Sequence, residues 1–137
     1  MSKVRPIDLS IVIASITSIF RPLAQQKQLD FSAVVVMEDP LIMGDRQAIQ
    51  NLLECLITHA IQTMPQGTIR VKIASYDSAY WSIILTASQM HRAVVDPSKD
   101  INLLLAQTLV NCIMQGKMTI KAQEDQSVTI TAILPIL

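Results

Sequence analysis

The sequence predicts a two-layer α/β (α+β) sandwich: a mixed, mostly antiparallel sheet with about three helices on one face. Three observations carry that expectation. Two long segments repeat apolar residues at three- and four-residue spacing, as amphipathic helices do. Short β-branched runs lie between and after them, and several alternate apolar with polar residues, as strands with one wet face do. The order along the chain is helix, two strands, helix, two strands, loop, helix, two strands, which closes as helices layered on a mixed sheet. The 137 residues suit one domain spanning 1–137, and an apolar half of the composition excludes disorder.

Each element has a local reason. Asp8 or Ser10 can cap a first helix, whose face is Leu9, Val12, Ile13, Ile16, Phe20 and Leu23, with Pro22 placed to bend its end. "LDFSAVVVM" reads as a strand, "EDP" as a turn and "LIMG" as a short second strand. Asp45 caps the next helix, in which Ile49, Leu52, Leu53, Leu56, Ile57, Ala60, Ile61 and Met64 form a broad stripe; Pro65 and Gly67 end it. Ile69, Val71 and Ile73 alternate with Arg70 and Lys72, "YDSA" turns the chain, and Tyr80–Leu85 returns it. Thr86–Asp100 has no period and reads as a loop. Leu103–Met114 is a third helix closed by Gly116, and "KMTIKAQ" and "SVTITAIL" are the last strands, joined by "EDQ".

Composition excludes several functions. Lys+Arg and Asp+Glu balance at 11 each, so no basic field draws in nucleic acid. No apolar run reaches membrane-spanning length, and no signal peptide is readable, so a cytoplasmic protein without membrane insertion is expected. Cys55 and Cys112 stand apart in apolar helical patterns, without disulfide or zinc spacing, and read as small buried hydrophobes. No Ser–His–Asp or paired-carboxylate constellation is readable, since Asp39, Asp45, Asp96 and Asp100 all fit turns or caps.

The element order, with "PLIMGDRQAIQNLLECLITHAIQTMPQGTIRVKI" at its centre, resembles the ATP-binding catalytic domain of sensor histidine kinases, the fold shared with gyrase, a heat-shock chaperone and MutL. Gly44-Asp45 opens the helix as the family does, and "LLECLITHAIQTMPQG" follows the family pattern "LLxNLLxNAIKFTPxG". The opening "PIDLSIVIASITSIFRPLAQQKQLDF" is similar to the family's first helix and strand. The likeness spans nearly the whole chain and implies the histidine kinase ATPase-like fold, without the phospho-accepting helical hairpin of a complete kinase.

The resemblance also identifies positions where nucleotide chemistry would sit. The family's magnesium-binding asparagine falls at His59, and the residue four earlier at Cys55, with Glu54 about 100° round the helix. The Asp-x-Gly-x-Gly box, whose aspartate reads adenine, falls on "ASQMH", so Ala87 replaces the aspartate and Gln89 and His91 the glycines. The Gly-x-Gly-Leu box falls on "NLLL", with Asn102 and Leu104 at the glycine positions. The chain has three glycines, Gly44, Gly67 and Gly116, each at an element boundary, which leaves none to close backbone around phosphates. A hydrogen bond to a charged group is worth about 1.5–3 kcal/mol, so losing the adenine-reading aspartate alone weakens ATP roughly tenfold to a hundredfold. Imidazole is a poor magnesium ligand, since magnesium prefers oxygen.

The expectation is therefore a non-catalytic signalling and interaction module, with no cofactor and no metal, derived from a histidine kinase ATP-binding domain. His59 is expected to fill a vacated pocket rather than join Cys55 in a metal site. His91 reads as an exposed loop residue rather than a phosphoacceptor. Met37, Met43, Met64, Met90, Met114 and Met118 read mostly as core. The partner would be a two-component kinase, a response regulator or a second copy, met by the first helix, which carries Ile11, Val12 and Ile19 beyond one narrow stripe. Two alternatives stand beside this: a divergent ATP-binding kinase domain using His59 and Glu54, and a small-molecule sensor with a pocket near Ala87, Met90 and Leu104.

Overall fold

Asp8 fixes where the first helix begins. Its Oδ1 accepts from Ser10 N at 2.9 Å, and α1 runs Leu9–Gln26, continuous through Pro22. In the computed structural model, which describes residues 4–90 and 95–137, α1 is followed by β2 (Asp30–Val35) and β3 (Leu41–Gly44). Asp39 makes the turn before β3 by accepting from Leu41 N at 3.0 Å. Asp45 caps α2 (Arg46–Thr63), its Oδ1 accepting from Gln47 N at 3.0 Å and Ala48 N at 3.3 Å. Then come β4 (Thr68–Ser75), β5 (Tyr80–Ala87), α3 (Ile101–Thr108), a π-helical turn (Leu109–Ile113), β6 (Lys117–Ala122) and β7 (Val128–Pro135).

Two elements depart from the sequence reading. Arg5–Asp8 is a strand, β1, paired antiparallel with β3 in a separate two-stranded sheet. The third helix starts two residues earlier than Leu103, because Asp100 Oδ1 accepts from Leu103 N at 3.0 Å and so sets the cap at Asp100. Its last turn loosens into the π form instead of staying α-helical.

The main sheet has the order β2-β4-β5-β7-β6; β2 pairs parallel with β4 and every other pair is antiparallel. Register places apolar residues in rows on one face. One row is Phe31, Ile69, Ala87, Val128 and Ala122; the next is Ala33, Val71, Leu85, Ile130 and Ile120. The period of two sends Arg70, Lys72, Lys117 and Lys121 to the other face. The helices cover the apolar rows with Leu9, Val12 and Ile16 of α1, the stripe of α2 and Leu103 and Ala106 of α3, forming one core. Met64 and Met90 join that core as expected, whereas Met43 stands on the exposed surface. Among the described residues no helix is long and apolar enough to cross a membrane.

Gly67 links α2 to β4 with φ +114°, a region side chains rarely adopt, and a Cβ there would lie 2.4 Å from Ser88 Oγ. That hydroxyl is already committed, accepting from Thr68 N at 2.8 Å. The end of β5 is thereby clamped to the start of β4.

Candidate functional site

The candidate site is built by α2 and α3. A shallow groove of about 380 Å³ runs between them, lined by Asn51, Glu54, Cys55 and Thr58 from α2, and by Asn102 and Leu105 from α3, with Leu109 at one end. Of the residues singled out in the sequence, Cys55 and Asn102 meet here. Glu54, one residue off the family position, lines the groove too, its Oε1 accepting from Gln50 Nε2 at 3.2 Å. Asn102 Nδ2 donates to Gln62 Oε1 at 3.3 Å, tying the start of α3 to α2.

His59 is not in the groove lining. It is fully buried, at 0% exposure, in the second half of α2. Its Nδ1 lies 3.1 Å from Asp100 Oδ2. That is close enough to pair, but neither ring nitrogen meets hydrogen-bond geometry, and Nε2 has no partner. Asp100 thus does two jobs: Oδ1 caps α3, while Oδ2 faces the imidazole. Thr63 Oγ1 donates to the His59 carbonyl at 2.7 Å, closing the last turn of α2 around it. A buried imidazole with so few hydrogen bonds is costly by itself, and the Asp100 carboxylate offsets part of that cost.

The remaining positions scatter. Ala87 is 0% exposed, in the middle of the row between Ile69 and Val128. Gln89 sits on the surface, its Oε1 accepting from Gln66 Nε2 at 3.0 Å. Leu104 is 44% exposed on α3. His91 lies outside the described residues. Ala87 and Met90 are both packed into the core, whereas Leu104 is exposed on α3.

Among the described residues the groove's chemistry is a thiol, one carboxylate, two amides and a hydroxyl, with no lysine or arginine. Burial, and after it the Glu54 carboxylate, push the Cys55 thiol above the ordinary thiol range, so it is protonated and a weak nucleophile at neutral pH. Among the described residues no group of three or more His, Cys, Asp or Glu side chains could hold a metal ion. Asp96 is held below the usual carboxylate range, chiefly by the Ser98 hydroxyl and then by Ser98 N, which makes it a turn-former ahead of α3 rather than a catalyst.

No protein-family model matches the sequence, and no characterised protein matches it at the sequence level. Solved structures match it closely in shape. The nucleotide-free catalytic domain of histidine kinase ThkA aligns with TM-score 0.82 at 17% identity, covering 97% of each chain. Full-length ShkA in complex with AMPPNP aligns at 0.85 and 13% identity, over 99% of this chain and 32% of that one. ThkA in complex with response regulator protein TrrA aligns at 0.80 and 17%, over 98% and 42%. At these identities the likeness concerns fold: the chain has the fold of a histidine kinase ATP-binding catalytic domain, from end to end.

Proposed function

We propose that this domain is a non-catalytic interaction module of two-component signalling that keeps the kinase fold without its nucleotide chemistry. The observation that carries this reading is His59. The residue at the family's magnesium-ligand position is a fully buried imidazole set against the α3 cap, so it presents no oxygen to a metal and has no face on the groove. The buried Ala87 and the cation-free groove lining support the same reading. Thermal melting with Mg-ATP and with Mg-ADP at millimolar concentration tests it. The melting temperature is expected to stay where equal magnesium and salt leave it; a dose-dependent rise with nucleotide overturns the reading.

A second reading, a divergent nucleotide binder, draws on one observation: Glu54, Asn51 and Asn102 bring side-chain oxygens to the groove. A melting shift abolished by Glu54→Gln would favour it.

The interaction half of the proposal rests on α1. Ile11 is 57% exposed, Ile19 and Leu23 are each 43% exposed, and Arg21 is the helix's one charged residue. An outer helix face this apolar is suited to a protein surface, either a second copy or a two-component partner such as the regulator bound to ThkA. Sedimentation at about 100 μM is expected to show reversible self-association that Ile19→Glu abolishes. A wild-type chain that is monomeric there and indistinguishable from Ile19→Glu removes the second copy as the partner.

A further inference from the structure

We propose a second ligand site, separate from the groove: a cavity at the N-terminal end of α2 that takes a small amphipathic amine, with an apolar ring or short chain carrying an ammonium group. The cavity is about 340 Å³, within the roughly 300–1,000 Å³ of small-molecule pockets. Its apolar walls come from distant parts of the chain: Ile42 of β3, Ile49 of α2, Trp81 of β5, and Leu134 and Pro135 at the end of β7. Met43 and Ile113 stand at it as exposed apolar side chains. Walls of this kind favour an apolar body over a polar one by burial alone.

The polar groups select the head of the ligand. Among the described residues that line the cavity, Asp45 has the one charged side chain; it also borders a neighbouring opening that Arg5 and Arg46 line. Both of its hydrogen bonds to the start of α2 use Oδ1, which leaves Oδ2 outside the cap. No lysine or arginine forms an ion pair with Asp45 among the described residues. A carboxylate oxygen beside apolar walls favours an ammonium N–H and repels an anion. The Gln115 amide supplies a second polar contact.

The backbone of one wall is irregular. The wall formed by Ile113, Met114 and Gln115 is the end of the π-helical turn, and Gln115 itself holds the left-handed φ of 56°. At the next residue a Cβ would lie 2.3 Å from the Ile133 carbonyl oxygen, so Gly116 is required. π turns and left-handed non-glycine residues cost energy and recur where function uses them. This turn also joins the two cavities, since Leu109 lines the groove and Ile113 lines the cavity. A ligand in the cavity would therefore bear on Ile113, at the other end of the same turn from the groove's Leu109.

The sequence has one tryptophan, and it is in the cavity wall, so Trp81 emission reports occupancy directly. The probes are phenethylamine, benzylamine and cyclohexylamine, with hydrocinnamate as the anion of matching body. At least one amine is expected to give a saturable change in Trp81 emission together with a rise in melting temperature, at least about tenfold tighter than hydrocinnamate. Asp45→Asn keeps an N-cap side chain, so the ligand-free melt should barely move while amine affinity falls about tenfold or more. Ile113→Lys, at an exposed rim position, sets a tethered ammonium beside Asp45 and should weaken the amine likewise. No saturable response to any of the three amines overturns the proposal. So does an equal response to hydrocinnamate, or an affinity unchanged in Asp45→Asn.

Discussion

Ala87→Asp, which restores the carboxylate of the family's adenine-reading position, is expected to destabilise the domain strongly rather than repair it. Ala87 is fully buried, and its neighbours across the sheet are Ile69 and Val128. Burying a carboxylate between these apolar neighbours costs about 3–5 kcal/mol. Against a typical domain stability of about 5–15 kcal/mol that is a large fraction, equivalent to a melting point roughly 10–20 °C lower. Thermal or urea unfolding of the variant measures it. Two-state unfolding at the wild-type midpoint, with new affinity for ATP, would mean that the position still faces a nucleotide site.

Asp100→Ala is the second large effect. The substitution removes the α3 cap, worth about 1 kcal/mol, and leaves the buried His59 ring with no partner, worth a further 1–3 kcal/mol or so. The expected loss is about 2–4 kcal/mol in urea unfolding. Asp100→Asn separates the two contributions, because asparagine caps a helix nearly as well but brings no charge to the imidazole. His59→Leu is expected to be close to neutral, since it removes the unpartnered Nε2 while filling similar space, and Asp100 is partly exposed and can hydrate. If Asp100→Asn costs as much in the His59→Leu background as in the wild type, and Asp100→Ala likewise, the contact between ring and carboxylate contributes nothing.

The fold was legible where local periodicity and burial agree. The stripe from Ile49 to Ile61 names α2, Asp45 names its cap, and the alternation of Ile69, Val71 and Ile73 names β4; the structure keeps all three. β1 was not legible, since four residues containing a proline carry no strand pattern, and β1 exists only through its pairing with distant β3. The π turn was equally hidden: Leu109–Ile113 has the composition of ordinary helix, and tertiary packing decides its form.

The site divides in the same way. That Cys55 and Asn102 face one another follows from the fold, and the resemblance supplied it. That His59 turns away from the groove to meet Asp100 is a contact between residues far apart in sequence, which no spacing rule contains. Ala87 carried a signal that could have placed it in the core. Trp81, Ile83 and Leu85 alternate inward, and Ala87 is the next residue of that series. Glu54, one position off the family pattern, is nonetheless in the groove, because neighbouring positions on a helix exposed between two elements can share one opening.

The most direct test of the central claim is isothermal titration of the domain with Mg-ATP, carried to millimolar nucleotide. With His59 buried, Ala87 in the core and no cation among the groove's described lining residues, the account predicts no heat beyond dilution. Saturable binding tighter than about 100 μM, equivalent to roughly 5–6 kcal/mol, and lost in His59→Ala or Glu54→Gln, would contradict it: the groove would then hold nucleotide through a ligand set of its own.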